Sequence, residues 1–139
     1  MFNITTEGSY TKAIIGSKAI ISSYDLPIAV INKRSKAFYI NLEAIERFYS
    51  NTTSKHVTKA LRQLNDMLSS YIYDIIEYTD TTEHEVAELY DIQALIDKAI
   101  TAPPSKRAEC LRLANDKGNK HFFTVYTDNE LINVFEGGL

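Results

Sequence analysis

The sequence predicts an α+β fold, in which an N-terminal antiparallel β-meander packs on a long helix and a helical hairpin, with one further C-terminal strand. Short β-branched segments ending in turns fill the first third, apolar residues at helical spacing fill the middle, and an aromatic, β-branched segment follows near the end. Strands followed by helices are typical of this class. We expect the 139 residues to form a single domain. Its parts are a basic β-meander at 1–50, a helical part at 51–115, and a strand and short helix at 120–136.

The meander is predicted from three or four short strands. Residues 10–15 and 18–23 read as a β-hairpin around the tight turn Gly16-Ser17. Residues 27–32 form the next strand, and its Pro27 belongs at the strand start because proline cannot donate to a ladder. A charged turn then leads to a fourth strand at 37–40, and the apolar spacing of 42–48 predicts one or two turns of helix.

A long amphipathic helix is predicted over about 54–78. Hydroxyl side chains at Thr52 to Ser54 precede it and can accept hydrogen bonds from its first free N–H groups. Its first turns are basic and its last turns are acidic, an order that opposes the helix dipole. The apolar face repeats in steps of three and four residues: Val57, Leu61, Leu64, Leu68, Tyr71, Ile72, Ile75 and Ile76.

Two further helices are predicted after this one. Thr82 and Glu85 match a capping box, so a second helix begins there, with an apolar stripe running from Val86 to Ile100. The pair Pro103-Pro104 ends it. The third helix covers 105–113, with Ala108, Cys110 and Leu111 inward and Lys106, Arg107 and Arg112 outward. We interpret Cys110 as a buried thiol, and a single cysteine excludes an internal disulfide.

The C-terminal segment predicts one strand and one short helix. Residues 122–127 are aromatic and β-branched, as strands are. Asp128 is predicted to cap a helix over 129–135.

The net charge of −3 conceals a sharp partition along the chain. Residues 1–62 hold nine Lys or Arg against four Asp or Glu, whereas residues 63–97 hold nine acidic residues and neither Lys nor Arg. Residues 98–120 are basic again, and 121–139 are acidic. Local charge therefore says more about partners than the overall balance does.

Several function classes lack support in the sequence. The histidines His56, His84 and His121 have no paired spacing with Cys or His, so we expect no metal site. We find no phosphate-binding glycine loop and no nucleophile-elbow pattern, so we expect no cofactor and no enzyme activity. No signal peptide and no apolar run of about 18 residues is present, so we expect no membrane association and a cytoplasmic protein in the host cell.

One constellation predicts an anion site. The start of the long helix combines free N–H groups, hydroxyls and bases, which suit a phosphate backbone. A second basic turn lies at 33–36, and Tyr24, Tyr39 and Tyr49 can supply stacking surfaces. The predicted nucleic-acid-binding residues are Lys33, Arg34, Lys36, Thr52, Thr53, Ser54, Lys55, His56, Lys59 and Arg62. The alternative stays open that the hydroxyls are plain caps and the tyrosines belong to the core.

Two segments also carry a resemblance. They are Ser23-Tyr24-Asp25-Leu26-Pro27-Ile28-Ala29 and Tyr49-Ser50-Asn51-Thr52-Thr53-Ser54-Lys55-His56. Together they resemble a pattern in small uncharacterised proteins of bacteriophages and other mobile elements. The resemblance covers roughly residues 10–62 and implies a phage or mobile-element origin, but no activity.

Three functional hypotheses follow. The first is a non-enzymatic nucleic-acid-binding protein that uses the basic meander and helix start to contact the phosphates of DNA or RNA. The second is an inhibitor that binds a host protein through the acidic segment 63–97. The third, compatible with both, is a homo-oligomer formed by the oppositely charged segments or by the apolar stripe of the second helix.

Overall fold

The computed structural model describes residues 2–46, 51–117 and 121–137. It confirms the α+β class. The strands are β1 (Phe2–Glu7), β2 (Tyr10–Ile15), β3 (Lys18–Ser23), β4 (Leu26–Asn32), β5 (Ala37–Asn41) and β6 (Phe122–Val125). The helices are α1 (Leu42–Glu46), α2 (Asn51–Tyr78), α3 (Glu83–Thr101), α4 (Pro104–Asp116) and α5 (Asp128–Glu136).

The six strands form one sheet in sequence order, β1 to β6. The first five are antiparallel, joined by short turns, and β6 runs parallel to β5 after the helical crossover. The meander is therefore one strand longer than the sequence predicts. The added strand is β1, which turns into β2 through Gly8 at φ +61°.

Helices cover both faces of the sheet. On one face α2 contributes Leu61, Leu64 and Leu68 to the main core, where they join Ile21 and Ile28 of the strands. On the other face α5 packs Leu131 and Val134 against Val30, with Ile20, Tyr39 and Phe135 around them. None of the helices in the described ranges is both long enough and apolar enough to cross a membrane.

Most helix boundaries agree with the sequence prediction, with small shifts. The long helix begins at Asn51, so Thr52, Thr53 and Ser54 lie inside its first turn. Thr82 caps α3 by accepting a hydrogen bond from the Glu85 N–H at 3.2 Å, as predicted. Cys110 is buried, also as predicted.

Two side-chain predictions are wrong. Arg107 does not point outward but is 6% exposed, because its guanidinium bonds to backbone carbonyls of α3. Thr127 rather than Asp128 caps α5, since its hydroxyl accepts from the Glu130 N–H. The Asp128 carboxylate instead accepts from the Asn41 amide at 2.6 Å, which fastens α5 to the end of β5.

A few predictions concern residues outside the described ranges. Arg47, Phe48, Tyr49 and Ser50 belong to this group, and with them one of the three predicted stacking tyrosines.

Candidate functional site

The two segments that carry the resemblance meet at one end of the sheet. Ser23, the last residue of β3, is fully buried and its hydroxyl lies 3.2 Å from the Thr53 hydroxyl of α2. The same Ser23 oxygen lies 2.6 Å from Nδ1 of His56. Assigning the Ser23 proton to Thr53 makes His56 Nδ1–H a donor to Ser23. This assignment leaves Nε2 without a proton at neutral pH.

Two tyrosines flank the His56 ring. The Tyr10 ring meets it edge-on with centroids 5.4 Å apart, and the Tyr24 ring lies 6.5 Å away. Burial and the nearby Lys59 ammonium lower the pKa of His56, with Glu7 acting in the opposite direction. The surroundings of His56 therefore favour its neutral form.

Tyr24 occupies an unusual position in the turn between β3 and β4. Its φ of +53° lies in the left-handed region that favours glycine, and its side chain is 59% exposed. Its N–H donates to the Ser9 carbonyl at 2.7 Å, which ties this turn to the one between β1 and β2. This turn conformation places the large Tyr24 ring at the protein surface.

Lys59 lies one helical turn after His56 and reaches toward the edge of the sheet. Its ammonium sits 4.2 Å from the Tyr10 ring centroid and 2.5 Å from a Glu7 carboxylate oxygen. The neighbouring Tyr10 hydroxyl donates to Gln63 at 3.4 Å. These contacts hold the β1–β2 hairpin against α2.

The exposed side of α2 carries what we call the basic stripe, Lys55, Lys59 and Arg62. With Thr58 these residues line one depression of about 340 Å³. Their spacing of four and three residues places them on one helix face. In the described part of the chain, Lys55 and Arg62 form no ion pair, so their charges face solvent.

A buried cation lies beneath this stripe. Arg107 donates to the Thr58 hydroxyl at 2.8 Å and to the Ser54 carbonyl at 3.4 Å. It also donates to the carbonyls of Ala99 and Ile100 at the C-terminal end of α3. Among the described residues no carboxylate pairs with it, and burial lowers its pKa from a very high ordinary value, so it remains charged. Its charge adds to the positive field of the stripe.

The second predicted basic group lies elsewhere. Lys33, Arg34 and Lys36 occupy the β4–β5 turn, where the Lys33 N–H donates to Ser17 and the Lys36 carbonyl lies 3.0 Å from His121 Nδ1. Ser23 lies at the opposite end of β3, and a strand of this length spans roughly 20 Å. The structure therefore places the two basic groups at opposite ends of the sheet.

The hydroxyls and tyrosines of the predicted site also separate. Thr53 is 4% exposed and bonded internally, whereas Thr52 and Ser54 are partly exposed. Tyr39 stacks on Phe123 with centroids 5.1 Å apart and packs on the α5 side. Of the two expected stacking tyrosines that lie in the described ranges, Tyr24 is the one exposed beside α2.

The Ser23–His56 pair resembles the start of a nucleophile–base arrangement, but its setting differs. A nucleophile must reach a substrate, and the Ser23 hydroxyl is fully buried. The contact orients His56 and joins β3 to α2. Within the described ranges, no three His, Cys, Asp or Glu side chains are placed to hold a metal ion.

The comparison with known families adds one finding. A model described as a family of unknown function, DUF8033, matches residues 2–83, more than half of the chain. The chain belongs to the DUF8033 family. The DUF8033 match covers β1 to α2 and ends at the first residue of α3, so it contains the Ser23–Thr53–His56 contact and the basic stripe. No curated protein and no solved structure matches the chain.

Sequence reasoning missed three residues that build this site: Glu7 and Tyr10, which lie within the matched residues 2–83, and Arg107, which lies outside them. Glu7 reaches α2 because β1 pairs with β2, and residues 2–7 carry no strong strand signal. Tyr10 is placed beside Ser23 by the pairing of β2 with β3. Arg107 follows a Pro-Pro helix end, where a basic residue in the next turn can reach the free carbonyls. That spacing was a usable signal for burial.

Proposed function

We propose that this chain is a non-enzymatic nucleic-acid-binding protein that uses the basic stripe of α2 and the exposed Tyr24 ring. The observation that carries the proposal is their juxtaposition around His56, whose ring lies 6.5 Å from that of Tyr24 and close enough to Lys59 for the two charges to interact. Bases in a row supply phosphate contacts, and an aromatic face beside them supplies a stacking platform.

The set of phosphate-contacting residues is narrower than the sequence predicts. Lys55, Lys59 and Arg62 share one face, with His56 beside them. Thr53 is left out because its hydroxyl is buried and bonded to Ser23. The 33–36 turn can contact the same ligand only if the ligand extends across the sheet from one end to the other.

Tyr24 favours a single-stranded ligand. Its ring is exposed at a turn, where it can stack on an unpaired base, and base–aromatic stacking is worth about 1–3 kcal/mol per base. Duplex bases are already stacked on each other and do not offer this contact. We therefore propose preferential binding of single-stranded DNA or RNA.

Fluorescence anisotropy with single- and double-stranded DNA and RNA tests the proposal. Phosphate contacts by Lys55 and Arg62, and by Lys59 when it exchanges Glu7 for phosphate, predict that the logarithm of affinity falls with the logarithm of salt concentration at a slope of about −2 for single strands. The charge reversals Lys55→Glu and Arg62→Glu should each weaken binding, and Tyr24→Ala should weaken single-strand binding alone. No binding of any of the four ligands at low salt contradicts the proposal.

Arg34→Glu is the matched control. It makes the same charge change on an exposed residue at the far end of the sheet. We expect it to change affinity for a short oligonucleotide much less than Lys55→Glu does. Equal weakening by both variants would show that overall charge, rather than the stripe, controls binding.

A second candidate is protein binding by the far end of the α2–α3 hairpin. We call residues 73–90 the hairpin tip. There Ile76 and Tyr90, 50% and 51% exposed, line a cavity of about 380 Å³ together with Val86, Ala87 and Glu83. Acidic residues around an apolar groove favour a basic amphipathic partner segment. For a phage-encoded chain, this candidate is an inhibitor of a host enzyme or defence system.

The two candidates respond to different variants. Charge reversal at Glu83, Glu85 and Glu88 should disable a protein-binding inhibitor and spare nucleic-acid binding. Ile76→Asp tests the groove itself. If these variants leave binding to an isolated host partner unchanged, the hairpin tip is not the binding surface.

A further inference from the structure

The two edges of the sheet are protected very differently. At one edge β6 has four residues, and its Thr124 N–H is taken by the Asn115 side chain of α4 at 3.0 Å. At the other edge β1 has six residues, pairs with β2 over its full length without a bulge, and has no strand on its outer side in the described ranges. An open edge strand is a template for pairing with another chain.

The geometry of the β1–β2 turn determines which backbone N–H and C=O groups of β1 point away from β2. Glu7 and Tyr10 flank the two-residue loop Gly8-Ser9 and so form the closing hydrogen-bonded pair. Because bonded and non-bonded pairs alternate, Asn3 and Thr5 also bond to β2. The backbone N–H and C=O groups of Ile4 and Thr6 then point away from the sheet.

The side chains of β1 include none of the usual features that prevent an edge strand from pairing with another chain. The strand Phe2–Glu7 contains no proline and no Lys or Arg, and its single charge, Glu7, is paired with Lys59. Ile4 is 57% exposed, and Ile15 on the same face of β2 is 48% exposed. Natural edges normally carry a bulge, a lysine or a covering element at such places.

We propose that β1 pairs antiparallel with β1 of a second copy of this chain, with Ile4 opposite Ile4 across a twofold axis. A second copy fits because pairing β1 with itself in this way sets no two charged side chains opposite each other. In this register Ile4 exchanges both backbone bonds with its counterpart, Asn3 faces Thr5, and the two Glu7 carboxylates lie at opposite ends of the seam. The two isoleucine side chains cover each other.

This register has a consequence for the basic stripe. Paired residues of an antiparallel ladder share a face, so an Ile4–Ile4 pair keeps both α2 helices on the same face of the joined sheet. Lys59 already reaches the edge strand through Glu7, which places one stripe on each side of the seam. A single nucleic-acid strand can then engage both stripes. This consequence rests on the proposed function, whereas the dimer itself does not.

Sedimentation equilibrium measures the dimer without nucleic acid. The monomer mass is 15.8 kDa, and we expect wild type to approach twice that value between about 1 μM and about 1 mM, the range of weak to moderate complexes. Ile4→Lys should give a monomer with an unchanged urea unfolding curve, because it sets two lysines opposite each other at the seam. Ile15→Lys is the matched control, with the same change on the same face one strand away, and it should remain dimeric.

Each contrary outcome overturns the proposal. A monomeric wild type at every concentration excludes the second copy and leaves the edge for a foreign strand. If wild type, Ile4→Lys and Ile15→Lys are all dimeric, the dimer interface does not lie at β1. If Ile15→Lys is monomeric, the interface lies on the face of the sheet rather than at its edge. A dimer that binds no nucleic acid overturns only the proposed function, whereas a monomer that binds it with the expected salt slope overturns only the dimer.

Discussion

The two ends of helix α2 differ in almost every physical respect. Its first turns pack against the sheet, where Thr53, Val57, Ala60 and Leu61 are buried, and their solvent side is basic. Its last turn packs against little: every residue after Ile75 is exposed, among them Ile76 and Tyr78. The first turn holds no acidic residue and the last turn no basic one.

This difference explains a charge order that is unfavourable for the helix itself. Bases at a helix N-terminus and acids at its C-terminus oppose the dipole by about 0.3–1 kcal/mol per charge. Packing on the sheet stabilises the first turns by burial, so the helix tolerates the cost there. The buried end fixes the geometry of a charged surface, whereas the hairpin tip presents apolar and acidic side chains with little anchoring.

The largest expected effect is the loss of folding stability when an apolar side chain is truncated in the buried part of α2, compared with the same change at the hairpin tip. Leu64 is fully buried under the sheet, so Leu64→Ala should lower the free energy of unfolding by about 2–5 kcal/mol. Ile76→Ala at the hairpin tip should cost less than about 1 kcal/mol because the side chain is half exposed. Urea unfolding measures both, and similar losses would show that the tip is packed as tightly as the centre.

Around the buried end of α2, the sequence predicted the apolar face of the helix but not the strands that pack near it. Periodicity predicted the burial of Val57, Leu61, Leu64 and Leu68, because a helical face is a local property. It did not predict β1, whose segment Asn3-Ile4-Thr5-Thr6 is nearly polar and becomes a strand by pairing with β2. The position of the 33–36 turn far from Lys55 also depends on strand direction, which residue types do not reveal.

The part of the candidate site that lies on one helix could be predicted from the sequence, whereas the contacts between distant segments could not. Lys55, Lys59 and Arg62 share a face by helical spacing alone, so the basic stripe followed from the sequence. The Ser23–His56 contact joins positions 33 residues apart and needs the sheet to bring them together. Glu7 and Tyr10 enter the site through the same long-range pairing.

A second prediction concerns the buried cation that fastens the first turns of α2 to α3. Arg107→Met leaves the buried Ala99 carbonyl and the partly buried Ile100 carbonyl without their donor, and a fully buried unsatisfied group costs about 1–3 kcal/mol. We expect a loss of about 2–3 kcal/mol in the free energy of unfolding. The control Arg112→Met removes an exposed ion pair with Glu46 and should cost less than about 1 kcal/mol. Equal costs would mean that Arg107 adds nothing beyond a surface charge.

A third prediction uses the pH dependence of the buried end. The pKa of His56 in the folded chain lies below its ordinary value, chiefly because of burial. The unfolded chain therefore binds a proton more readily, and stability falls as pH decreases through about 6.5 and below. Wild type should lose more stability than His56→Gln between about pH 7.5 and about pH 5.5. That range avoids the titration of Glu7, whose pKa Lys59 holds below 4.5.

Nucleic-acid affinity should change in the opposite direction over the same range. Protonation of His56 adds a positive charge next to the basic stripe, so binding should strengthen as stability decreases. Anisotropy on wild type and His56→Gln separates this effect from the titration of other groups. If both proteins show the same pH dependence of affinity, His56 does not contribute to the binding surface.

The smallest expected effect concerns the carboxylate that faces the basic stripe. Glu7 pairs with Lys59 in an exposed contact, the two side chains being 77% and 46% exposed, so Glu7→Gln should leave unfolding almost unchanged. It frees Lys59 for phosphate and should raise affinity less than about tenfold at 0.1 M salt, where charges are screened over about 10 Å. Glu136→Gln makes the same charge change on α5, across the sheet from α2, and should leave affinity unchanged. A gain in both variants would mean that net charge sets the affinity, and the difference between the two ends of α2 would then carry no functional meaning.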